Sequence, residues 1–400
     1  MQTKALTRNI PLRFFSRGAS ALLISAALAG WMHLPVYASE ARDPVIIEFD
    51  APGAGTGSGQ GTFPSDIDGQ GAIAGYYLDA NNAAHSFLRA KCGRIITYDA
   101  PGAGHGAGQG TFAFSLDRSE AIVGYYVDPG NVAHGYVRAK DGSITSFEAP
   151  GAGTGSGQGT FPGDINPEGA IAGYYIDASN AFHGFVGHPS AFTTFDAPDA
   201  GTGAGQGTLI AFGSGLNRSG TIAGYYLDAN KVIHGYVRSA DGDIKVFDAP
   251  GAGTSAGQGT FAASINPEGA IAGTYFDSSN VLHGYLRTDD DIFTTFDAPG
   301  AGAGADQGTV SQNLNRSKDI VGYDLDANGV NHGFVRTPCR IYTFDAPGAG
   351  TLSGQGTIPV SNNRTDEITG NYVDANGVNH GFVRSERHRE KWDESVGDDQ

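Results

Sequence analysis

The sequence predicts an all-β chain, a seven-bladed β-propeller of four-stranded antiparallel blades, from three observations. A unit of about 50 residues recurs seven times, each unit holds four strand-like segments, and one such segment is displaced from the end of the array to its beginning. Repeats are settled first, because 400 residues would otherwise suggest two or three domains.

The period is read from the histidines His85, His134, His183, His234, His283, His332 and His380, which stand 49, 49, 51, 49, 49 and 48 positions apart. A second marker, FDAPGAGTGSGQGTF, opens at Phe49, with close copies from Tyr98, Phe147, Phe195, Phe247, Phe296 and Phe344. A third, the Gly-Tyr-Tyr of Gly75, returns in full or in part at Gly124, Gly173, Gly224, Gly273, Gly322 and Gly370.

Within the third unit the strand candidates are 159–165, 170–175, 183–186 and 192–196, each near the usual strand length of about 5 to 6 residues. Asn166-Pro167-Glu168-Gly169 and Asp177-Ala178-Ser179-Asn180 separate them. Proline fixes φ, glycine accepts positive φ and Asx side chains bond their own backbone, so both are turns. Connections this short join antiparallel neighbours, which makes the unit a meander. A solenoid would need parallel coils, against these hairpin signals.

Closure follows from the order of segments. The fourth segment stands first at residues 45–50, before any complete unit, and is missing after His380 to Arg384. Residues 45–50 therefore complete the last blade and remove two free sheet edges. The blades run approximately 51–99, 100–148, 149–196, 197–248, 249–297, 298–345 and 346–384 plus 45–50, and residues 385–400 form a charged, solvated tail.

Lys4, Arg8, Arg13 and Arg17, the apolar run from Ala19 and the small-residue site Val36-Tyr37-Ala38 mark residues 1–38 as a secretory signal peptide. A secreted or periplasmic location is the consequence. Cleavage would take the formal net charge from −17 to −21, because the segment carries four basic residues and no acidic one. So acidic a chain disfavours nucleic-acid partners and anionic membranes. A glycan or another exported protein is the expected partner. The only cysteines, Cys92 and Cys339, fall at matching places in blades 1 and 6, too far apart in a ring to bridge, so two free thiols are expected.

The stretch INPEGAIAGYYIDASNAFHGFV, Ile165 to Val186, resembles the extracellular repeat family named HAF after its His-Ala-Phe signature. In that family a G-x-I-x-G strand is followed by a turn and a histidine-led strand. The resemblance covers residues 45–384, with HGF, HGY or HSF in place of HAF, and implies an exported repeat protein. It carries no catalytic or binding residues to this chain.

The glycine loops lack the lysine of a phosphate-binding loop, the following helix of a dinucleotide fingerprint and the carboxylates of calcium repeats. They read as crossings from the outer strand of one blade to the inner strand of the next. Gln60, Gln109, Gln158, Gln206, Gln258, Gln307 and Gln355 share that face, where their amides either meet sugar hydroxyls or cap their own loops. Departures from the repeat add His105, Asp199 and Asp306 to the same face as candidate ligand contacts. Further departures are Phe212-Gly213-Ser214, Asp324 in place of a tyrosine, and Asp289-Asp290-Asp291.

Each repeat histidine stands six residues after an aspartate, as Asp79 and His85 do, which suggests a structural Asp–His hydrogen bond in every blade. Neither a metal ligand set nor a cofactor motif emerges, and no triad or acid pair stands out. The reading is a binding or interaction module with its ligand at the glycine-loop face or central channel. A secreted enzyme acting on polysaccharide and a structural surface protein are the alternatives.

Overall fold

The computed structural model describes residues 44–211 and 213–385. The expected signal segment lies outside them, as does the expected tail apart from Ser385.

Twenty-eight strands among the described residues form one closed, propeller-like ring of seven four-stranded blades. In blade 1 the inner strand Gly61–Ile67 is followed by Ile73–Leu78, Ala84–Arg89 and the outer strand Ile95–Tyr98, each antiparallel to the one before. Asx turns make these connections: Asp79 Oδ1 accepts from Asn81 N and Ala83 N at 2.8 and 2.9 Å, fixing the hairpin between the second and third strands.

The ring closes as the segment count requires. Strand Val45–Phe49 pairs antiparallel with Asn379–Ser385, Val45 opposite Ser385 and Phe49 opposite Gly381. At the inner edge Ser361 Oγ donates to Asp66 Oδ1 at 2.8 Å and Asn363 Nδ2 to Asp68 O at 2.9 Å, so blade 7 is laced to blade 1.

Glycine loops carry the chain between blades, and their last glycine explains their composition. Gly61 has φ of 113°, and a Cβ there would stand 1.9 Å from Asn379 O of the preceding blade. Only glycine satisfies both the left-handed backbone and this approach. Beside it Thr62, fully buried, accepts Ala51 N on its hydroxyl at 2.9 Å. The loops are thus architecture first.

The core lies between blades. Val123 and Phe147 of blade 2 pack against Ile165, Ile171, Tyr175 and Phe185 of blade 3. At six seams an arginine ending a third strand covers an aromatic ring of the neighbouring outer strand, from Arg89 over Phe49 at 4.7 Å to Arg384 over Phe344 at 5.0 Å. Blade 3 has Gly187 at that position, and Phe192 packs on Phe147 at 5.0 Å instead.

Each inner strand outside blade 4 carries a bulge, as between Pro64 and Asp66, so two residues separate the paired Pro64 from the paired Ile67. In blade 4 five residues separate Ile210, paired with Gly224, from Leu216, bridged to Ile222. That extension has consequences at the axis.

Candidate functional site

On one face of the ring the glycine loops alternate with the turns joining second and third strands. Gly108 N, in the loop entering blade 2, donates to Asn82 O of blade 1 at 2.9 Å, and Ala84 N to Gln109 O at 2.8 Å.

All seven candidate glutamines lie in these loops and make the same contacts. Gln60 Oε1 accepts Gly57 N at 2.8 Å, while its Nε2 donates to Ala80 O at 3.1 Å and Asn82 Oδ1 at 3.2 Å. Gln109, Gln158, Gln206, Gln258, Gln307 and Gln355 repeat the bond from the loop and the bond to the turn. Each amide therefore pins its own loop and keeps one acceptor lone pair for a further bond. His105, Asp199 and Asp306 lie in the separate loops of blades 2, 4 and 6. Asp199 and Asp306 take glycine-like backbone, φ 66° and 61°.

The repeat histidines form a clamp in every blade, but the close partner differs from the one the spacing suggests. His85 Nδ1 bonds Asp99, fourteen residues later, at 2.9 and 3.0 Å, while Asp79 stands 3.8 Å from Nε2. Across the blades the Nδ1 contacts to the carboxylate that follows the outer strand, Asp50 for His380, run from 2.5 to 3.1 Å, and the Nε2 contacts to the turn aspartate from 3.5 to 4.0 Å. The earlier aspartate is engaged in its own turn. Two carboxylates on opposite nitrogens do not converge on an ion, and among the described residues no group of three or more His, Cys, Asp or Glu could hold a metal.

The tyrosine pairs divide as strand alternation requires. Tyr77 is buried and stacks on His85 with ring centroids 5.0 Å apart. Tyr76 is half-buried toward the axis, stacked on Phe63 at 5.0 Å and edge-on to Phe112 of blade 2 at 5.1 Å. The series continues through Tyr125 and Phe161 to Tyr174, then loses its regularity: the equivalent inner-strand residues are Leu209, Val310 and Ile358, and Thr274 and Asn371 replace two tyrosines.

Two cavities open between blades at the glycine-loop face. One, about 350 Å³ between blades 2 and 3, is walled by Phe112, Tyr125 and Phe161, with Asn131, Ser156 and Gln158 at its polar side. Its counterpart between blades 7 and 1, about 420 Å³, is lined by Ser58, Ser353, Gln355, Val373, Asn376 and Asn379 and has no aromatic wall. The aromatic wall of the first is the part sequence reasoning missed, having used the Gly-Tyr-Tyr copies only as a repeat marker. The change from Phe and Tyr in blades 1 to 3 to Ile358 and Asn371 in blade 7 is the signal that distinguishes the two.

At the axis, blade 4 crosses the ring. Gly213 N donates to Gly163 O of blade 3 at 2.8 Å, Ser214 O accepts Ile265 N of blade 5 at 2.9 Å, and a Cβ on Gly213 would stand 3.5 Å from Phe114 O and 3.7 Å from Ser65 O. Backbone thus occupies the axis at the level of the bulges. The cavities of about 350 and 420 Å³ described above both lie at the glycine-loop face, one of the two ligand positions the sequence left open.

The same inner strands bury two carboxylates. Asp66 accepts Leu116 N at 3.0 Å and the Ser361 hydroxyl, and burial pushes its carboxyl up to about 7, with Asp164 adding to the rise. Asp164 accepts Leu216 N at 2.7 Å and the Ser115 hydroxyl at 2.6 Å, and burial raises it to about 6. Neither lines the two cavities above.

Cys92 and Cys339 are free and exposed.

No protein-family model matches the chain, and no curated protein sequence matches it. Among solved structures, BP39L lectin from Burkholderia pseudomallei is similar at 10% identity and a TM-score of 0.51, covering 81% of this chain and 95% of its own. AofleA from Arthrobotrys oligospora gives 15% identity and a TM-score of 0.44, covering 75% and 90%. The Aleuria aurantia lectin, described as a six-bladed β-propeller with a novel fucose recognition mode, gives 14% and 0.39, covering 72% and 95%. The first of these supports a propeller-like fold for this chain; the other two are too distant to carry an argument.

Proposed function

We propose that the protein is an exported binding module for glycans, of the HAF-type repeat class that its repeat grammar resembles, with its ligand at the glycine-loop face between blades 2 and 3. The observation that supports this most is the cavity of about 350 Å³ walled by Phe112, Tyr125 and Phe161 and rimmed by Asn131, Ser156 and Gln158. It lies in the size range of small-ligand sites, about 300 to 1,000 Å³, and pairs apolar ring faces with a few placed polar groups. A pyranose has the matching surfaces: a face of C–H groups for the rings, and hydroxyls that pair with amide and hydroxyl groups. The name of BP39L, a lectin, agrees with the reading. Export rests on the expected signal segment, and the acidic charge disfavours phosphate-bearing polymers.

A glycan-array screen of the purified protein tests this. Specific retention is expected, with at least a tenfold loss in Tyr125→Ala and no change in Asn376→Ala at the cavity between blades 7 and 1. A blank array, or equal binding by Tyr125→Ala, overturns it.

A further inference from the structure

The inner segments of six blades end in a buried aliphatic residue, set opposite the isoleucine that begins the second strand. These residues are Ile67, Leu116, Ile165, Leu216, Ile265 and Leu314, each 4 to 7% exposed. In blade 7 the residue is Asn362, opposite Ile368 in the same register. Asn362 is buried too. Its Nδ2 donates to Asp319 O of blade 6 at 3.1 Å, while its Oδ1 has no hydrogen-bond partner. A buried acceptor left unpaired costs stability, and the six other blades show that the fold does not need an amide here.

A cavity of about 90 Å³ opens at this place between blades 6 and 7, and its polar lining falls into two groups. In one, the guanidinium carbons of Arg340 and Arg384 stand 5.1 and 5.5 Å from the centre of the Tyr342 ring. Arg384 is 3% exposed and its Nε has no partner. In the other, Asp319 and Asp366 are joined through Asn315, whose Nδ2 donates to Asp319 Oδ2 at 3.3 Å and to Asp366 Oδ1 at 3.4 Å. Val335 and Ile368 supply apolar surface, and the exposed Arg340 and Asp366 stand at the mouth. An unpartnered Nε recurs at Arg89, Arg238 and Arg287, so that donor belongs to the repeat. What this seam adds to it is the acceptor Asn362 Oδ1, the ring of Tyr342, and Asp319 where blades 1, 2, 3 and 5 have alanine.

An unused donor thus lies with the guanidinium groups, and an unused acceptor lies against Asp319. A simple anion would meet the two carboxylates, and a simple cation the two guanidinium groups, each at a cost in like-charge repulsion. A zwitterion answers both groups. Its carboxylate accepts from Arg384 Nε, its ammonium donates to Asn362 Oδ1, and hydrogen bonds with an ionised partner are the strong ones. In an α-amino acid the two charges hang on one carbon, the spacing that a small cavity requires. A volume of about 90 Å³ equals about three water molecules, which admits only the smallest side chains.

We propose that the seam between blades 6 and 7 is a binding site for a small α-amino acid zwitterion, of the size of glycine or alanine. It shares no residue with the cavity between blades 2 and 3, and the proposal does not rest on the glycan reading.

Calorimetric titration of the purified protein with glycine, followed at the Asn362 side-chain amide by NMR, tests it. One saturable site is expected, weakened at least tenfold in Asn362→Leu, which restores the aliphatic residue of the other six blades and so keeps the fold. Arg340→Gln is expected to weaken it as well. Acetate and methylammonium, which each carry half of the ligand, are expected to bind at least tenfold more weakly than glycine. No saturable binding of glycine would leave the cavity to water and overturn the proposal. Equal binding by Asn362→Leu, or acetate or methylammonium binding as tightly as glycine, overturns it too.

Discussion

The perimeter of this ring and its axis follow different rules. Around the perimeter the glycine loops, the Gln-capped turns and the His–carboxylate clamps recur in every blade, with Gln60 and Gln355 making the same bonds at opposite ends of the array. Toward the axis the inner strands diverge. At one position they carry Asp66, Ser115, Asp164, Gly215, Ser264, Asn313 and Ser361 in turn. Uniform parts are what seven identical seams demand. The departures at the axis and between blades 6 and 7 create single sites, and a ligand that binds once needs a single site. Repetition here builds the scaffold and the aromatic wall of the cavity between blades 2 and 3, and its interruptions add side chains found once in the ring.

If the perimeter is scaffold, damage to any one copy should be felt by the whole ring. Gly159→Ala places a Cβ 2.0 Å from Ala133 O at φ of 122°, a clash with backbone that no rotamer relieves. A loss of more than about 4 kcal/mol in chemical denaturation is expected, in the range reserved for severe steric faults. Gly61→Ala, at the closing seam, should cost as much. A markedly smaller loss at either seam would show that the blades are not equivalent at their perimeter.

The axis should instead announce itself through pH. Asp66 and Asp164 have folded-state values of about 7 and 6, above the ordinary 3.8. Carboxyls raised in this way contribute stability that is fully present below about 4 and is lost as pH rises through 6 and 7. At the perimeter the opposite sign holds. Asp79, Asp128, Asp277 and Asp374 are held below the ordinary value by turn amides and their histidines, so their contribution is present above about 4 and fails in stronger acid. Thermal stability should therefore peak near pH 4 and fall from there to about pH 7. Asp66→Asn is expected to flatten the decline between about pH 4 and 7 by a few kcal/mol, since Asn313 shows that an amide fits this position. An unchanged decline in that variant would break the assignment to the axis.

How much of this was legible in the sequence follows the same division. Closure by Val45–Phe49 was legible because a missing segment can be counted. The partner of His85 was not, because Asp79 and Asp99 both recur at nearly constant distance from it. Only the turn's own need for Asp79 Oδ1 decides between them. Asp66 and Asp164 were hidden because a polar residue in an inner strand reads as alternation, and nothing local reveals that both are buried. The extra residues of blade 4 were visible as a length, but a length has no direction, and only the fold sends Gly213 across the axis. Asp324 was visible as a substitution whose surroundings, the His332 clamp and the loop at Gly300, come from distant parts of the chain.

The smallest expected effect sharpens the comparison most. Deleting residues 212–214 leaves two residues between Ile210 and Leu216, the length found in the other blades. It removes the bonds from Gly213 N to Gly163 O and from Ile265 N to Ser214 O. Each such bond is worth about 1 kcal/mol net, and part is regained as water enters the axis, so a total loss of about 1 kcal/mol is expected. For a chain of this size that lowers the melting temperature by only about 1 to 2 °C. Hydrogen exchange supplies the local readout: the Ile265 amide should exchange faster while the Ala100 amide, held by Thr111 at the perimeter, should not change. A fall beyond about 10 °C, or faster exchange at Ala100, would mean that the crossing of the axis supports the whole ring. Scaffold and interruption would then be one system, because the strand extension that closes the axis would be holding the perimeter in place.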